Sequence, residues 1–366
     1  MTKKLNKRII IAGGGTGGHI FPAIAIAKAL LEKDESFEFL FVGAKGKMEM
    51  EKIPQAGFKI IGIDIAGFNR SSILKNLSLP FKLIKSFWQV RKIVNEFKPV
   101  AAIGVGGYSS FPVLKYCQSK SIKTFIHESN SFAGKSNMLL GKNATKIFVA
   151  SEGMGKFFPK NKIVQTGNPV RKAIANSTIS KEESIAFFNL NPNKKTILAI
   201  GGSLGSKTIN EALLNGLNKI IKKEYQLIWQ TGKATSEKYI NNKKLDKGIW
   251  VGEFIEKMEY AYQAADVVIS RSGAMSVTEL CVVGKPVVFI PFPFAAEDHQ
   301  TVNAQQLENN NAAIMIKDAD ANSTLIDTII ELLNNEEKQN EMSNNLKELA
   351  ITNADKVIAE LIIDNI

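Results

Sequence analysis

Residues 7–22 read KRIIIAGGGTGGHIFP, and the fold is decided there. After the basic pair Lys7 and Arg8, Ile9 to Ala12 form a short apolar run that stops at Gly13. Successive β-branched residues favour extended backbone, and a run with no polar alternation needs cover on both faces, so the segment reads as a buried strand. Residues 13–18 then make a glycine turn, and from Pro22 to Leu31 the apolar residues recur at helical spacing. Such a turn lets backbone N–H groups and the positive end of a helix come close to phosphate or sugar oxygens.

The same order returns halfway along the chain, where residues 195–208 read KTILAIGGSLGSKT and a helical pattern runs to Leu217. Further strand candidates are 37–42, 100–105, 123–127, 146–150, 225–230, 267–270 and 286–290, with helix-compatible segments between them. Alternation of this kind predicts an α/β fold built from two Rossmann-like, doubly wound parallel-sheet domains. A chain of 366 residues suits two cores. The polar stretch 168–194, with Pro169 and Pro192, is the expected linker, and a cleft between the domains would follow.

The apolar share of 45% and charged share of 22% exclude a disordered or collagen-like chain. No apolar run approaches the roughly 18 residues needed to span a bilayer, and the run after Arg8 is too short for a secretory leader. Cys117 and Cys281 lie far apart without metal-ligand spacing, which fits a reducing cytoplasm. The excess of 47 basic over 35 acidic residues, net +12, favours an anionic partner: nucleic acid, acidic lipid or a phosphorylated substrate.

Gly13, Gly15 and Gly18 match the dinucleotide fingerprint, yet Phe41 and Val42 run into Gly43 and Ala44 where an acid should end the second strand, so a nicotinamide cofactor is not expected. Ser206 stands where a P-loop needs glycine before Lys207, which argues against an ATPase. The chain has 3 histidines. His127 and His299 read equally as hydrogen-bonded packing residues. His19, closing the first glycine turn, is placed to take a proton from a hydroxyl nucleophile. Gly273 allows a close turn before a helix starting near Ala274, which puts Glu279 more than a turn inside it. There the carboxylate can accept both hydroxyls of a ribose, or simply face water. Asp318 and Asp320 have the D-x-D spacing of metal-dependent sugar transferases, but Asn322, Ser323 and a helix-like run follow, so the pair reads as capping and no metal site is expected.

After Pro80, helical spacing sets Leu83, Phe87, Val90, Val94 and Phe97 on a core stripe. Phe81, Ile84 and Trp88 fall on a second stripe flanked by Lys85, Arg91 and Lys92, and Ile73, Leu74 and Leu77 with Arg70 and Lys75 extend the mixture upstream. An apolar stripe with a basic rim is a candidate surface for anionic lipid.

Seven segments in order resemble those of the MurG glycosyltransferases: residues 14–22 (GGTGGHIFP), 106–108 (GGY), 127–130 (HESN), 167–171 (GNPVR), 201–203 (GGS), 272–279 (SGAMSVTE) and 299–304 (HQTVNA). The resemblance spans nearly the whole chain. It implies the two-domain GT-B fold, with residues 1–170 binding acceptor and membrane, 171–343 binding UDP-N-acetylglucosamine, and a last segment, about 344–366, returning to the first domain. It implies inverting transfer of N-acetylglucosamine to the 4-hydroxyl of the muramic acid unit in undecaprenyl-pyrophosphoryl-MurNAc-pentapeptide, at the cytoplasmic face of the bacterial plasma membrane, in peptidoglycan synthesis. No cofactor and no nucleic acid are implied. By motif position Glu279 holds the ribose, Ile255 the uracil through its backbone, and Ser203 and Arg171 the nucleotide. Ala274, Met275, Ser276, Val277, Thr278 and Gln300 line the donor, while Thr16, Gly17, Gly18, His19 and Asn130 face the acceptor, His19 as base or as positioning group. Leu204 and Ser129 depart from the glutamine that many members carry at each place. Rival readings are a UDP-N-acetylglucosamine 2-epimerase, for which Glu128 is the obvious acid, a diacylglycerol hexosyltransferase, and a nucleotide-sugar binding subunit without catalysis.

Overall fold

The computed structural model describes residues 7–67, 79–202, 204–233, 236–240 and 248–366. They form two compact units, one ending at Arg171 but taking back Asn353–Ile366, the other spanning Lys172–Thr352. In the first, the order is β1 (Lys7–Ala12), α1 (Gly17–Lys33), β2 (Phe37–Ala44), α2 (Glu49–Gln55), β3 (Lys59–Ile63), α3 (Leu79–Phe97), β4 (Ala101–Gly104), α4 (Ser110–Ser119), β5 (Lys123–Glu128), α5 (Lys135–Gly141), β6 (Lys146–Val149) and β7 (Ile163–Gln165). The second runs α6 (Lys172–Ala175), α7 (Lys181–Phe187), β8 (Thr196–Ile200), α8 (Lys207–Lys222), β9 (Gln226–Gln230), α9 (Ser236–Ile240), β10 (Ile249–Gly252), α10 (Met258–Ala264), β11 (Val267–Ser270), α11 (Ala274–Val283), β12 (Val287–Phe289), α12 (His299–Glu308), β13 (Ile314–Met315), α13 (Ala321–Asn334) and α14 (Glu336–Glu348). Helix α15 (Ala354–Ile363) belongs again to the first.

Each unit is built on one parallel sheet, ordered β3-β2-β1-β4-β5-β6-β7 in the first and β10-β9-β8-β11-β12-β13 in the second. Strand periodicity of two sorts the side chains of β1: Ile9 and Ile11 pack with α1 and α15 on one face, Ile10 and Ala12 with Val90, Ile93 and Leu114 on the other. Both faces are covered, which is why the run needed no polar alternation.

Several expectations shift. Helix α1 begins at Gly17 rather than Pro22, so Gly17, Gly18 and His19 are its first turn and Pro22 lies inside it. Proline has no N–H, which leaves the Gly18 carbonyl without its helical donor, and the Ser129 hydroxyl faces it at 3.5 Å. Most of the expected linker is packed structure. The chain leaves the first unit at Arg171, and α7, closed by a capping box between Ser180 and Glu183, carries Phe187 against Tyr260 and Phe188 against Trp250. Residues 344–352 stay with the second unit, where Met342 and Leu346 of α14 are buried, and the returning segment starts at Asn353.

Candidate active site

Topology locates the site before any side chain does. Strand order reverses between β1 and β4 in the first sheet and between β8 and β11 in the second. In open α/β sheets the turns leaving such strands diverge, and ligands bind in the crevice at their carboxyl ends. The glycine turn with His19 follows β1, and α11 with Glu279 follows β11.

In the first unit the turns after β1 and β4 lock together backbone to backbone. Gly14 N–H donates to the Gly106 carbonyl at 3.2 Å, and a Cβ on Gly107, whose φ is +84°, would stand 2.5 Å from the Gly14 oxygen. The Gly14 carbonyl also meets His19 Nδ1 at 2.9 Å. A carbonyl only accepts, so Nδ1 carries the hydrogen and Nε2 presents the lone pair. Thr16 is the exposed N-cap of α1 and makes no side-chain cap bond, while Gly17 and Gly18 are half-buried. Asn130 is held by Glu128: its N–H and Nδ2 each donate to Oε1 at 3.2 Å. The other oxygen of Glu128 accepts from Gly134 N–H at 3.0 Å and Asn137 Nδ2 at 2.8 Å. His127 is fully buried, and burial pushes its pKa down to about 4, against a backbone bond at Gly167 and with the nearby charge of His19 acting in the same sense as burial. Arg171 ends this unit with its guanidinium 4.2 Å from the Phe21 ring centroid.

In the second unit α11 starts at Ala274 after the N-cap Gly273. Met275 and Glu279 are buried, Ala274, Ser276, Val277 and Thr278 half-buried, and the Thr278 hydroxyl is turned back onto the Ala274 carbonyl at 2.9 Å. Glu279 does not face water: it is 6% exposed and accepts a bond from the Tyr262 hydroxyl at 3.0 Å. Ile255 N–H is already given to Gln230 Oε1 at 2.9 Å, and Gln230 Nε2 donates to the Gly202 carbonyl at 3.1 Å. The N–H of Ile255 is thus committed within the unit. Gln300 Oε1 accepts from Phe292 N–H at 3.0 Å, and its carbonyl takes the Ser272 hydroxyl at 2.8 Å. Ser203 lies outside the described residues.

Asp318 is an ion-pair partner rather than a cap. Arg271 Nη1 reaches its Oδ1 at 2.5 Å while also donating to the carbonyls of Ile290 and Pro291, and the Thr208 hydroxyl holds Oδ2 at 2.9 Å. Asp320 is the N-cap of α13 but its side chain makes no cap bond; instead its carbonyl accepts the Ser323 and Thr324 hydroxyls.

Comparison with known proteins matches two family models, the glycosyltransferase family 28 N-terminal domain over residues 9–149 and the C-terminal domain over 196–361. A protein of Phocaeicola vulgatus called UDP-N-acetylglucosamine--N-acetylmuramyl-(pentapeptide) pyrophosphoryl-undecaprenol N-acetylglucosamine transferase is 50% identical, covering 97% of this chain and 95% of its own. This chain belongs to the MurG family. The crystal structure of Acinetobacter baumannii MurG superposes with a TM-score of 0.72 at 28% identity, over 98% of this chain and 99% of that one. A UDP-GlcNAc 2-epimerase from Neisseria meningitidis, at 15% identity with a TM-score of 0.70 over 98% of this chain and 100% of that one, shares the fold.

Within the MurG pattern, Ser129 is buried, with its carbonyl accepting from Asn168 Nδ2 at 3.2 Å, and Leu204 is an exposed side chain on the second glycine turn. Helix α3 presents Phe81, Ile84 and Trp88 to solvent at 76%, 59% and 68% exposure. Leu83, expected in the core, is exposed as well, while Ser86, Val90, Ile93 and Val94 form the buried face. A 19-residue helix runs about 28 Å, whereas the five-residue β3 and four-residue β4 span no more than about 17 Å, so the first turns overshoot the sheet. The basic rim is partnered: Lys85 with Asp64 at 3.0 Å, Arg91 over the Trp88 ring at 5.9 Å, Lys92 with Glu96 at 3.9 Å. Ile73, Leu74, Leu77, Arg70 and Lys75 lie outside the described residues.

Sequence reasoning missed Glu49, Gln230, Tyr262 and the Arg271–Asp318 pair. Glu49, 1% exposed at the start of α2, accepts from Gly15 N–H at 2.7 Å and Ala44 N–H at 3.0 Å. A glutamate directly after Met48 carries no local signal of that role, because its partners come from other segments of the chain.

Proposed function

We propose that this enzyme transfers N-acetylglucosamine from UDP-N-acetylglucosamine to the 4-hydroxyl of the muramic acid unit in undecaprenyl-pyrophosphoryl-MurNAc-pentapeptide, with inversion, as a step of peptidoglycan synthesis. The carrying observation is His19, whose Nδ1 is committed to the Gly14 carbonyl so that Nε2 is the free base. Inversion needs that base: the acceptor oxygen attacks the anomeric carbon on the face opposite the departing diphosphate and gives up its proton as the bond forms. Glu279, buried and oriented by Tyr262, accepts the ribose hydroxyls, and the Ile255 carbonyl accepts the uracil N3 hydrogen. Ser203 and Arg171 serve the nucleotide, while Ala274, Met275, Ser276, Val277, Thr278 and Gln300 line the donor sugar and diphosphate. On the acceptor side stand Thr16, Gly17, Gly18 and Asn130.

No metal or cofactor is part of this reading. Charge developing on the leaving diphosphate meets Arg171 and the N-terminal end of α11. Asp318 is already engaged by Arg271 and Thr208. An epimerase is disfavoured because Glu128, its best acid, spends both oxygens on four N–H donors and has no free position for proton transfer at a sugar carbon. The enzyme acts peripherally at the cytoplasmic face of the plasma membrane, with Phe81, Ile84 and Trp88 of α3 entering the headgroup boundary and Lys85, Arg91 and Lys92 exchanging weak surface pairs for anionic lipid. Among the described residues no helix is long and apolar enough to cross a membrane.

The test is transfer of radiolabel from UDP-N-acetylglucosamine. Product on lipid-linked MurNAc is expected; label appearing as epimerised sugar or on diacylglycerol instead would select a rival. His19→Ala is expected to lower turnover at least roughly a hundredfold with UDP affinity unchanged. A loss of less than about tenfold removes His19 as the base.

A further inference from the structure

A glycine turn at the carboxyl end of a strand normally leaves its N–H groups open to an anion. The turn after β1 gives one of them to a carboxylate of the protein itself. Glu49 lies beneath it, 1% exposed, with Oε2 on Gly15 N–H at 2.7 Å and Oε1 on Ala44 N–H at 3.0 Å at the end of β2. The fit is close enough that a Cβ on Gly14 would lie 2.3 Å from the Glu49 carboxyl carbon. Gly14 also has φ at +148°, so both space and backbone reserve that position for glycine. The carboxylate thus ties the turn after β1 to the end of β2 from inside the fold.

The consequence runs to the reacting atom. Gly14 and Gly15 share the peptide unit between the carboxylate and the imidazole: the Gly15 N–H points to Glu49, and the Gly14 carbonyl, on the same peptide plane, points to His19 Nδ1 at 2.9 Å. A planar peptide transmits orientation from its N–H to its C=O without slack. We propose that Glu49 is a positioning residue of the transfer reaction: its carboxylate occupies the anion place of the first glycine turn and orients the 14–15 peptide that fixes the tautomer and direction of His19. This rests on the reading of His19 as the base.

Glu49→Gln keeps the volume but offers one acceptor and one N–H donor to two N–H groups, so one contact becomes a clash of donors. The expected result is a turnover loss of roughly tenfold to a hundredfold, with acceptor KM within about threefold and UDP affinity unchanged. Because Glu49 acts through His19, Glu49→Gln placed on His19→Ala should cost less than about twofold more. In Glu49→Ala the vacated place is open to a small anion, and formate, but not chloride at equal ionic strength, should restore part of the turnover. Wild-type turnover in folded Glu49→Gln overturns the proposal, and so do additive losses in the double variant. Loss of cooperative melting in Glu49→Gln also overturns it, because it assigns the residue to folding alone. If His19→Ala is near wild type while Glu49→Gln is impaired, the base reading fails and the link through His19 falls with it. If His19→Ala is impaired and Glu49→Gln is not, the positioning role alone fails.

Discussion

His19 and His127 have the same side chain and are close enough for their charges to interact, yet their surroundings give them opposite work. His19 is half-buried with one nitrogen tied to a carbonyl and the other free, whereas His127 is enclosed completely in β5, with its Nδ1 3.5 Å from the Ser129 hydroxyl. Burial lowers the His127 pKa from the ordinary 6.5 to about 4, so the folded state binds no proton there at pH values where the unfolded chain does. Stability contributed by neutral His127 is complete above about pH 6.5 and lost as pH falls through the window down to about pH 4. The loss approaches about 3 kcal/mol for the first unit, since each pKa unit is worth about 1.4 kcal/mol. Urea titrations from pH 7 to 4.5 should show this slope in the wild type and a shallower one in His127→Gln; equal slopes would refute it. His19 is legible in the sequence because it closes a glycine turn next to a strand. Tyr262, Gln230, Glu49 and the Arg271–Asp318 pair are not, because each acts on a partner brought by a different element, and no local pattern encodes that meeting.

At the scale of the element the same division appears. Central strands announce themselves: β1, β4, β8 and β11 are mostly buried runs of Ile, Val, Leu and Ala, and β5 and β9 carry short apolar centres, Phe125–Ile126 and Leu227–Trp229, between polar residues. The four strands that escape sequence reading, β3, β7, β10 and β13, are the four sheet edges. Edge position leaves most of their residues half-buried or exposed, and at two to five residues each is too short to show a period of its own. Helix α3 is legible in outline because its buried face follows helical spacing, and its unburied apolar stripe is the basis of the membrane reading. Replacing Phe81, Ile84 and Trp88 together by Ser removes three exposed side chains that support no core, so folding and UDP binding should be unchanged. Sedimentation with anionic vesicles should fall at least roughly tenfold, as expected when several apolar groups no longer enter the interface. Equal vesicle binding by the folded triple variant rules this surface out.

At the scale of the whole molecule, the chain leaves the first unit once and returns, so the first unit is completed only by the last residues. Helix α15 lays Ile358, Ala359 and Ile362, all fully buried, into the same core as Ile9, Ile11 and Ile20. The second unit has its own core, in which Trp229, Val267 and Ile269 pack with α8 and α13. Because the two cores share no residues, a cavity in one should leave the other standing. Ile358→Ala should cost about 2–5 kcal/mol, which for a unit of this size lowers its melting temperature by roughly 5–15 °C. UDP at about a hundred times its Kd should raise chiefly the transition of the second unit, which holds all the assigned nucleotide contacts but Arg171, by an amount equivalent to nearly 3 kcal/mol. In a calorimetric scan of Ile358→Ala with saturating UDP, the two transitions should therefore move apart. If they move together, with Ile358→Ala lowering the UDP-sensitive transition as far as the other, the units unfold as one cooperative block and the returning helix stabilises both.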